Sequence, residues 1–552
     1  MKPFLTLHHP EKTRLFYKNG QWRHDTFYSL LAKHAASRPH APALQDGRMT
    51  LTFVQLLSWV DGVAADLRSF GLVSGDRVSI WASNRAESIV TFLACSREGF
   101  ACNPSLHRTY TPTEICELMR RLSTKALVTE PGFGGSPAQI DRMLADLPSL
   151  KVVYRPENFP HPAPYRAPVS RDPDQIVYLA FTSGTSGTPK CVMHSDNTLL
   201  ANARDLVRDW RQGPETVLMS VSPLSHHIAW VAVAQWLICG CRLVTDDAPK
   251  EVSRLDWVIQ TGATYVMGVP THAIDLLAEQ RERGIPRLGQ VEIFYMAGSP
   301  IPPSVARAFL AQGVKPQNVY GMTENSSHQY THPEDDSETL LKTCGRGGPA
   351  YEIAIFDPTD DSRRLPDGEI GQIGGRGAAL MLGYFDNQNV TEKSFNEEGW
   401  FMSGDLGVIL PNGALRVEGR LKDLIIRGGR NIYPDHIEAF AVRHPQVKKA
   451  ACFPIPDTRL GERACIAIIG DVQPAELLAH LSACGLSKYD LPEYFVPMDV
   501  FPLTPSGKIL KRKFVEMARR GDLVPQSLRQ QTARHVQKRR VVGKIPPYSI
   551  GG

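Results

Sequence analysis

The sequence is poor in the patterns that would assign a chemistry at once. Its ten cysteines form no CxxC pair, and no His/Cys spacing fits a zinc site. Cys239 and Cys241 stand two apart, too close to make a metal half-site without partners elsewhere. Unpatterned cysteines in a chain of 552 residues read as free thiols of a reducing compartment. Charge of one sign is also scarce: the net value of +5 is small for this length and calls for neither nucleic acid nor a membrane surface. No segment repeats at a fixed period, and the opening MKPFLTLHHPEKTRLF lacks the apolar core of a signal peptide. One long run, Thr216 to Cys241, carries no Asp, Glu, Lys or Arg and could span a bilayer by length. It contains Pro223, His226, His227 and several serines, so a buried strand, a loop and a buried helix are expected instead. The expectation is a soluble, cytoplasmic protein without a transmembrane segment.

What is present is alternation. Hydrophobic residues make up 42% and charged residues 22%, ordinary for a globular chain, and the length demands more than one core. DTFYSLLAKHAASRP predicts a helix with Asp25 as N-cap, Phe27, Leu30, Leu31 and His34 on one face, and Pro39 as its stop. DRVSIWAS (Asp76 to Ser83), KALVTE (Lys125 to Glu130) and TYVMGVP (Thr264 to Pro270) predict buried strands. Amphipathic segments between them, such as THAIDLLAEQRERG, imply βα units and largely parallel sheets, hence a multidomain α/β protein. From Gly368 to Val417 the segments are short and rich in glycine, which predicts a small β subdomain. A boundary is expected just after Gly419 and Arg420, where charged, glycine-rich RLKDLIIRGGRNIYP leads into a fresh pattern the size of a small α+β domain. Residues 521–552 form a basic tail that reads as a surface-draped terminus.

The most informative segment is YLAFTSGTSGTPKCVMHS, Tyr178 to Ser195. An apolar strand runs into Thr182, Ser183, Gly184, Thr185, Ser186, Gly187, Thr188, Pro189 and Lys190. Hydroxyls and glycine amides at this density can wrap phosphate oxygens, and Lys190 adds positive charge. It is not a Walker loop, because Pro189 stands where the second glycine belongs, and no GxSxG elbow is present. By its residues alone the segment serves equally well as a surface turn.

The loop closely resembles the phosphate-binding signature TSGTTGxPKG of the adenylate-forming superfamily, which includes acyl-CoA synthetases, peptide-synthetase adenylation domains and beetle luciferase. Further signatures follow in the family's order, and together they span about Thr26 to Arg512. MAGSPI resembles the loop beside adenine and acyl group, which implies nucleotide contacts for Gly298, Ser299 and Pro300 and an acyl contact for Ala297. NVYGMTENS resembles the adenine segment. Tyr320, Gly321, Met322 and Thr323 would contact the nucleotide, with Tyr320 stacking on the purine, and Glu324 would support Mg²⁺. In GWFMSGDLG, Asp405 resembles the carboxylate that holds both ribose hydroxyls. In GRLKD, Arg420 would reach ribose and phosphate, and Lys422 falls at the hinge. Gly428 and Gly429 match the loop that lines the thiol tunnel, and their neighbourhood resembles acyl- and aryl-CoA ligases more than peptide-synthetase domains. In FPLTPSGKILKRK, Lys508 matches the family's catalytic lysine, an ammonium able to bridge the attacking carboxylate and the α-phosphate.

SPLSHHIAW aligns with the family's PLFH segment, which implies His226 as a gate to the acyl pocket, with His227 and Trp230 as further lining. No Asp occurs between Glu215 and Asp246 to hold an α-ammonium, so an amino-acid substrate is disfavoured. Cys191 replaces the usual glycine after PK, Ser225 a common Phe, and GRGGPAY lacks the usual ending. By resemblance, the fold is a large N-terminal domain (1–419) of two stacked α/β sheets plus a distorted β-barrel. A hinge (420–423) and a small mobile C-terminal α+β lid (424–520) follow. Thr182, Glu324, His226 and Lys508 are the expected catalytic residues, and Glu324 is the metal ligand. The implied activity is an AMP-forming acid–CoA ligase that uses ATP, Mg²⁺ and CoA on a fatty, alicyclic or aromatic acid. Delivery to a carrier-protein phosphopantetheine and a silent acyl-nucleotide sensor are the alternatives. Retention of Lys508, Glu324, Asp405 and Arg420 speaks against the sensor, and a nucleic-acid role for the tail is a distant third.

Overall fold

A computed structural model describes residues 4–169, 172–182, 189–504 and 509–528. The chain divides into a large unit, residues 1–369, 374–403 and 409–416, and a small one, residues 370–373, 404–408 and 417–552. The ten cysteines are all free thiols.

Two sheets build the large unit. One has eight strands in the order Ser326–Tyr330, Lys315–Met322, Ile293–Met296, Tyr265–Gly268, Val217–Ser220, Arg242–Thr245, Pro42–Gln45 and Thr50–Thr52. Its pairs are parallel except at the two ends. The other has six, Val152–Tyr154, Ala126–Thr129, Arg77–Trp81, Ala101–Asn103, Ile176–Thr182 and Lys190–Ser195, antiparallel only at the last pair. The strands are short, and inner ones such as Arg77–Trp81 and Tyr265–Gly268 are buried along their whole length, as parallel sheets covered by helices must be. A shared core of Phe92, Tyr178, Trp230, Trp236 and Tyr295 joins helices and both sheets.

The expected strands at 76–83, 125–130 and 264–270 are found at Arg77–Trp81, Ala126–Thr129 and Tyr265–Gly268. The uncharged run is the strand Val217–Ser220, a loop, and the buried helix His227–Cys239. Among the described residues no helix is long and apolar enough to cross a membrane. One expectation shifts by a residue. The cap of the helix Phe27–Ser37 is Thr26, not Asp25: Thr26 accepts from the Ser29 amide while Ser29 closes a reciprocal capping box. Asp25 instead pairs with Arg204 at 3.4 Å.

A third sheet, Tyr351–Phe356, Gly371–Gly377, Phe401–Ile409 and Leu415–Arg420, starts before the stretch Gly368 to Val417 where a β subdomain was expected and has its other three strands in or overlapping it. The small unit carries its own sheet, with Gly461–Gly470 between Val447–Asp457 and Tyr494–Pro497. The start of the basic tail is not draped: Gln526–Ser527 pairs with Tyr494 and Phe495, and Leu528 is buried in the small unit's core.

Candidate active site

In the large unit the phosphate loop is anchored by its flanks. Thr182 and Lys190 are paired in register at the end of the Ile176–Thr182 and Lys190–Ser195 hairpin. Ser183, Gly184, Thr185, Ser186, Gly187 and Thr188 lie outside the described residues. The exit of the loop is held from a neighbouring helix, where Arg121 donates to the Pro189 carbonyl at 2.7 Å and lies over the Phe181 ring. Cys191, in the family's glycine position, is an ordinary buried strand residue paired with Phe181, with no positive φ to accommodate. Burial pushes its thiol up to about 12.

The carboxylate expected to meet the metal is close to this anchor. Glu324 is buried, and its Oε1 accepts the Tyr384 hydroxyl at 2.9 Å. Its backbone carbonyl accepts from the Met381 amide at 2.7 Å. The Lys190 ammonium lies 4.7 Å from the centre of the same Tyr384 ring, so one tyrosine bridges the loop's cation and the buried carboxylate. Burial, then the Glu324 charge, holds the Tyr384 hydroxyl far above its usual range, so it donates at every working pH. Beneath the segment, His194 Nε2 is 2.7 Å from the Thr323 carbonyl and Nδ1 is 2.9 Å from Thr198 Oγ1. A carbonyl only accepts, so Nε2 carries the proton. Burial lowers His194 to about 4. Gly321 is required here, since a Cβ would fall 1.7 Å from the Ser326 carbonyl oxygen. Tyr320 is mostly buried and meets His328 edge-on at 5.3 Å. Gly298, Ser299 and Pro300 are exposed, with Gly298 at φ +91°, while Ala297 is buried.

The helix His227–Cys239 starts with His226 at its N-cap. His226 meets the His107 ring at 4.8 Å, and His107 Nδ1 lies 3.1 Å from the Ser225 hydroxyl, so the serine that replaces a common Phe has a polar partner. His227 bridges the Tyr178 hydroxyl at 3.2 Å and Ser326 Oγ at 3.0 Å, and burial keeps it neutral. Trp230 is fully buried against Phe92 and donates to the Leu224 carbonyl, a core position.

In the small unit, Asp405 and Arg420 form an ion pair at 3.4 Å. Lys422 is exposed in the short helical turn Leu421–Asp423, and desolvation, with Arg420 nearby, lowers its pKa. Gly428 and Gly429 both have positive φ in the turn between Ile425–Arg427 and Arg430–Ile432. Lys508 lies outside the described residues. Lys511, three positions on, is fastened by Asp435 at 2.7 Å and Glu438 at 2.8 Å. Tyr384, Arg121, His107 and His194 are the additions that sequence reasoning missed. No motif flags Tyr384, Arg121 or His107, each brought in by the tertiary fold, while His194 stands in the Tyr178 to Ser195 segment without being singled out there.

Residues 31–385 match the AMP-binding enzyme family and residues 436–508 the AMP-binding enzyme C-terminal domain. The chain belongs to the AMP-binding enzyme family. Its relatives are of the acid–CoA ligase branch of the adenylate-forming superfamily, and it is an AMP-forming enzyme of the acyl-CoA synthetase type. It is 28% identical to a medium-chain fatty-acid–CoA ligase of Escherichia coli K12, over 92% of this chain and 93% of that one. It is 29% identical to a salicylyl-CoA synthase/salicylate adenylyltransferase of a Streptomyces species, over 91% and 95%. The ATP-bound MatB structure from Rhodopseudomonas palustris superposes with a TM-score of 0.80 at 26% identity, covering 89% of this chain and 99% of that one.

Proposed function

We propose that this member of the family is an ATP-dependent ligase that activates a fatty, alicyclic or aromatic acid as acyl-AMP and then transfers the acyl group to CoA. What carries the reading is the Lys190–Tyr384–Glu324 constellation at the neck of the phosphate loop. A polyanion needs a cation at the loop and a carboxylate for its metal, and one ring ties the two together.

Among the described residues no group of three His, Cys, Asp or Glu side chains could hold a metal alone. A single buried carboxylate fits Mg²⁺, which keeps waters and takes its other oxygens from phosphate. Glu324 would hold it, and the ion would supply neutralisation of phosphate charge when bound. Thr182 and the hydroxyl-rich loop after it would cradle the phosphates, and Asp405 would take the ribose hydroxyls beside Arg420. Lys508 would bring its ammonium between the carboxylate and the α-phosphate, where two anions must meet. The acid would enter past His226 and His227 toward Ala297. For the second step we propose that residues 424–520 act as a lid pivoting at Lys422, which replaces Lys508 by Gly428 and Gly429 so that the CoA thiol attacks the mixed anhydride and AMP leaves.

Lys508→Ala tests the division of labour. Pyrophosphate release should fall by more than about 100-fold, while thioester formation from supplied acyl-AMP persists. Equal loss of both half-reactions removes Lys508 from this role. Offering CoA or a holo-carrier protein to the wild type decides the acceptor, and a rate that depends on the carrier alone would overturn the CoA assignment.

A further inference from the structure

The sheet face that carries Ala297 turns polar as it is followed inward. Side chains alternate along a strand, so Tyr295 shares the face of Ala297 about 7 Å deeper. In register beside Tyr295 are Met267 on one neighbouring strand and Gln317 on the other. Tyr295 is fully buried and its hydroxyl is 2.5 Å from Ser327 Oγ. The Ser327 backbone is clamped by the Asn202 amide, which accepts from its N–H at 3.0 Å and donates to its carbonyl at 2.9 Å. The helix His227–Cys239 brings the buried Gln235 amide to 3.3 Å from Met267 Sδ. Gln317 is fully buried as well. Its Oε1 accepts the Tyr265 hydroxyl, and its Nε2 has no hydrogen-bond partner.

The Tyr295 and Ser327 hydroxyls answer each other, so a hydrocarbon tail pressed against this layer would gain nothing from them and would leave the Gln317 amide unanswered, whereas a hydrogen-bonding substituent would join the network. A longer chain would also have to pass through the Tyr295 ring, which is pinned at its hydroxyl. We propose that the activated acid is compact, about the length of one ring, and carries a hydrogen-bonding substituent at the end remote from its carboxylate. The Tyr295–Ser327 pair recognises that substituent, and Gln317 stands in the same layer. This rests on the acyl-site reading of Ala297 and His227 given above and narrows its substrate from a broad range of acids to distally polar, short ones.

The experiment compares kcat/KM for pyrophosphate release between matched acids: 4-hydroxybenzoate with 4-methylbenzoate, 5-hydroxypentanoate with hexanoate, and decanoate as the long apolar case. It uses wild type, Tyr295→Phe and Ser327→Ala, each checked for a native melting transition. The hydroxylated member of each pair should be preferred by about tenfold or more, with decanoate poorest. In Tyr295→Phe, which keeps the ring and its volume, the preference should shrink to about threefold or less. A wild type that prefers decanoate or the methyl-terminated acids overturns the proposal, as does a hydroxyl preference that survives in both variants. Release of no pyrophosphate with any acid would bring down the ligase reading itself, which separates the two failures.

Discussion

Removing one oxygen atom tests the site's central bridge. Tyr384→Phe keeps the ring beneath the Lys190 ammonium but deletes the hydroxyl that donates to Glu324 at 2.9 Å. A buried hydrogen bond to an ionised acceptor contributes roughly 1.5–3 kcal/mol. If Glu324 must be held in one orientation as phosphate charge develops, that energy is lost from the adenylation transition state. At about 1.4 kcal/mol per factor of ten, pyrophosphate release should slow by about 10- to 150-fold. Thioester formation from supplied acyl-AMP asks nothing of this bridge and should stay within about threefold of wild type. Glu324→Gln should be slow by itself, and adding Tyr384→Phe to it should cost little more, because the bond being deleted has lost its charged acceptor. The assay is coupled pyrophosphate detection at saturating ATP. Adenylation within twofold of wild type in Tyr384→Phe, or additive losses in the double variant, would refute the reasoning.

Three further outcomes are expected. Gly321→Ala should destabilise the large unit by about 2 kcal/mol or more, because its Cβ would fall 1.7 Å from the Ser326 carbonyl oxygen; an unchanged denaturant midpoint would contradict the geometry. Lys511→Met leaves Asp435 and Glu438 near each other without their shared cation, which should cost about 3 kcal/mol or more, and an unchanged unfolding curve would count against it. Burial lowers His328 to about 3, so the folded state binds fewer protons than the unfolded state as pH falls below about 6.5. Its contribution to stability is therefore present at pH 7 and is lost on acidification, by about 2 kcal/mol between pH 7 and pH 5. Asp196, raised to about 7 by burial, acts with the opposite sign, so the readout is the difference between wild type and His328→Leu. The variant should lose about 2 kcal/mol less over that interval, and parallel pH profiles would sink the assignment.

Periodicity and punctuation carry the strands and helices of the large unit because a buried strand such as Tyr265–Gly268 must be apolar and must end where glycine or proline permits. The family signatures point to the loop at Thr182 and the carboxylate of Glu324 for a comparable reason: a phosphate cradle needs several small donors in succession, and such a run is visible in one dimension. Tyr384 is not visible in that way. It reaches Glu324 across 60 positions, and nothing around it separates a bridging tyrosine from a core one. Arg121 is equally silent, an arginine in the last turn of an amphipathic helix until the fold lays it on the Pro189 carbonyl. The capping error at Asp25 has a local cause. Two adjacent residues are both good caps, and the choice fell to Thr26 because Ser29 could return its hydrogen bond. The polar floor around Tyr295 and Gln317 was hidden by sequence distance as well, since three strands and a helix must assemble before its members meet.

The residues on either side of Glu324 rest on two buried histidines. His194 and His227 stack at 5.6 Å, one against the Thr323 carbonyl and the other against the Ser326 hydroxyl. Burial holds His194 near 4 and His227 well below its usual range, so above about pH 5 both are neutral dipoles. As neutral groups they hold the chain on either side of Glu324, one through a backbone carbonyl and the other through a serine hydroxyl. The Glu324 carboxylate accepts from a neutral tyrosine hydroxyl, and the Lys190 cation lies against the ring of that same tyrosine. One aromatic ring thus brings a cation and a carboxylate to the same place, the two charges that a triphosphate and its metal would call on.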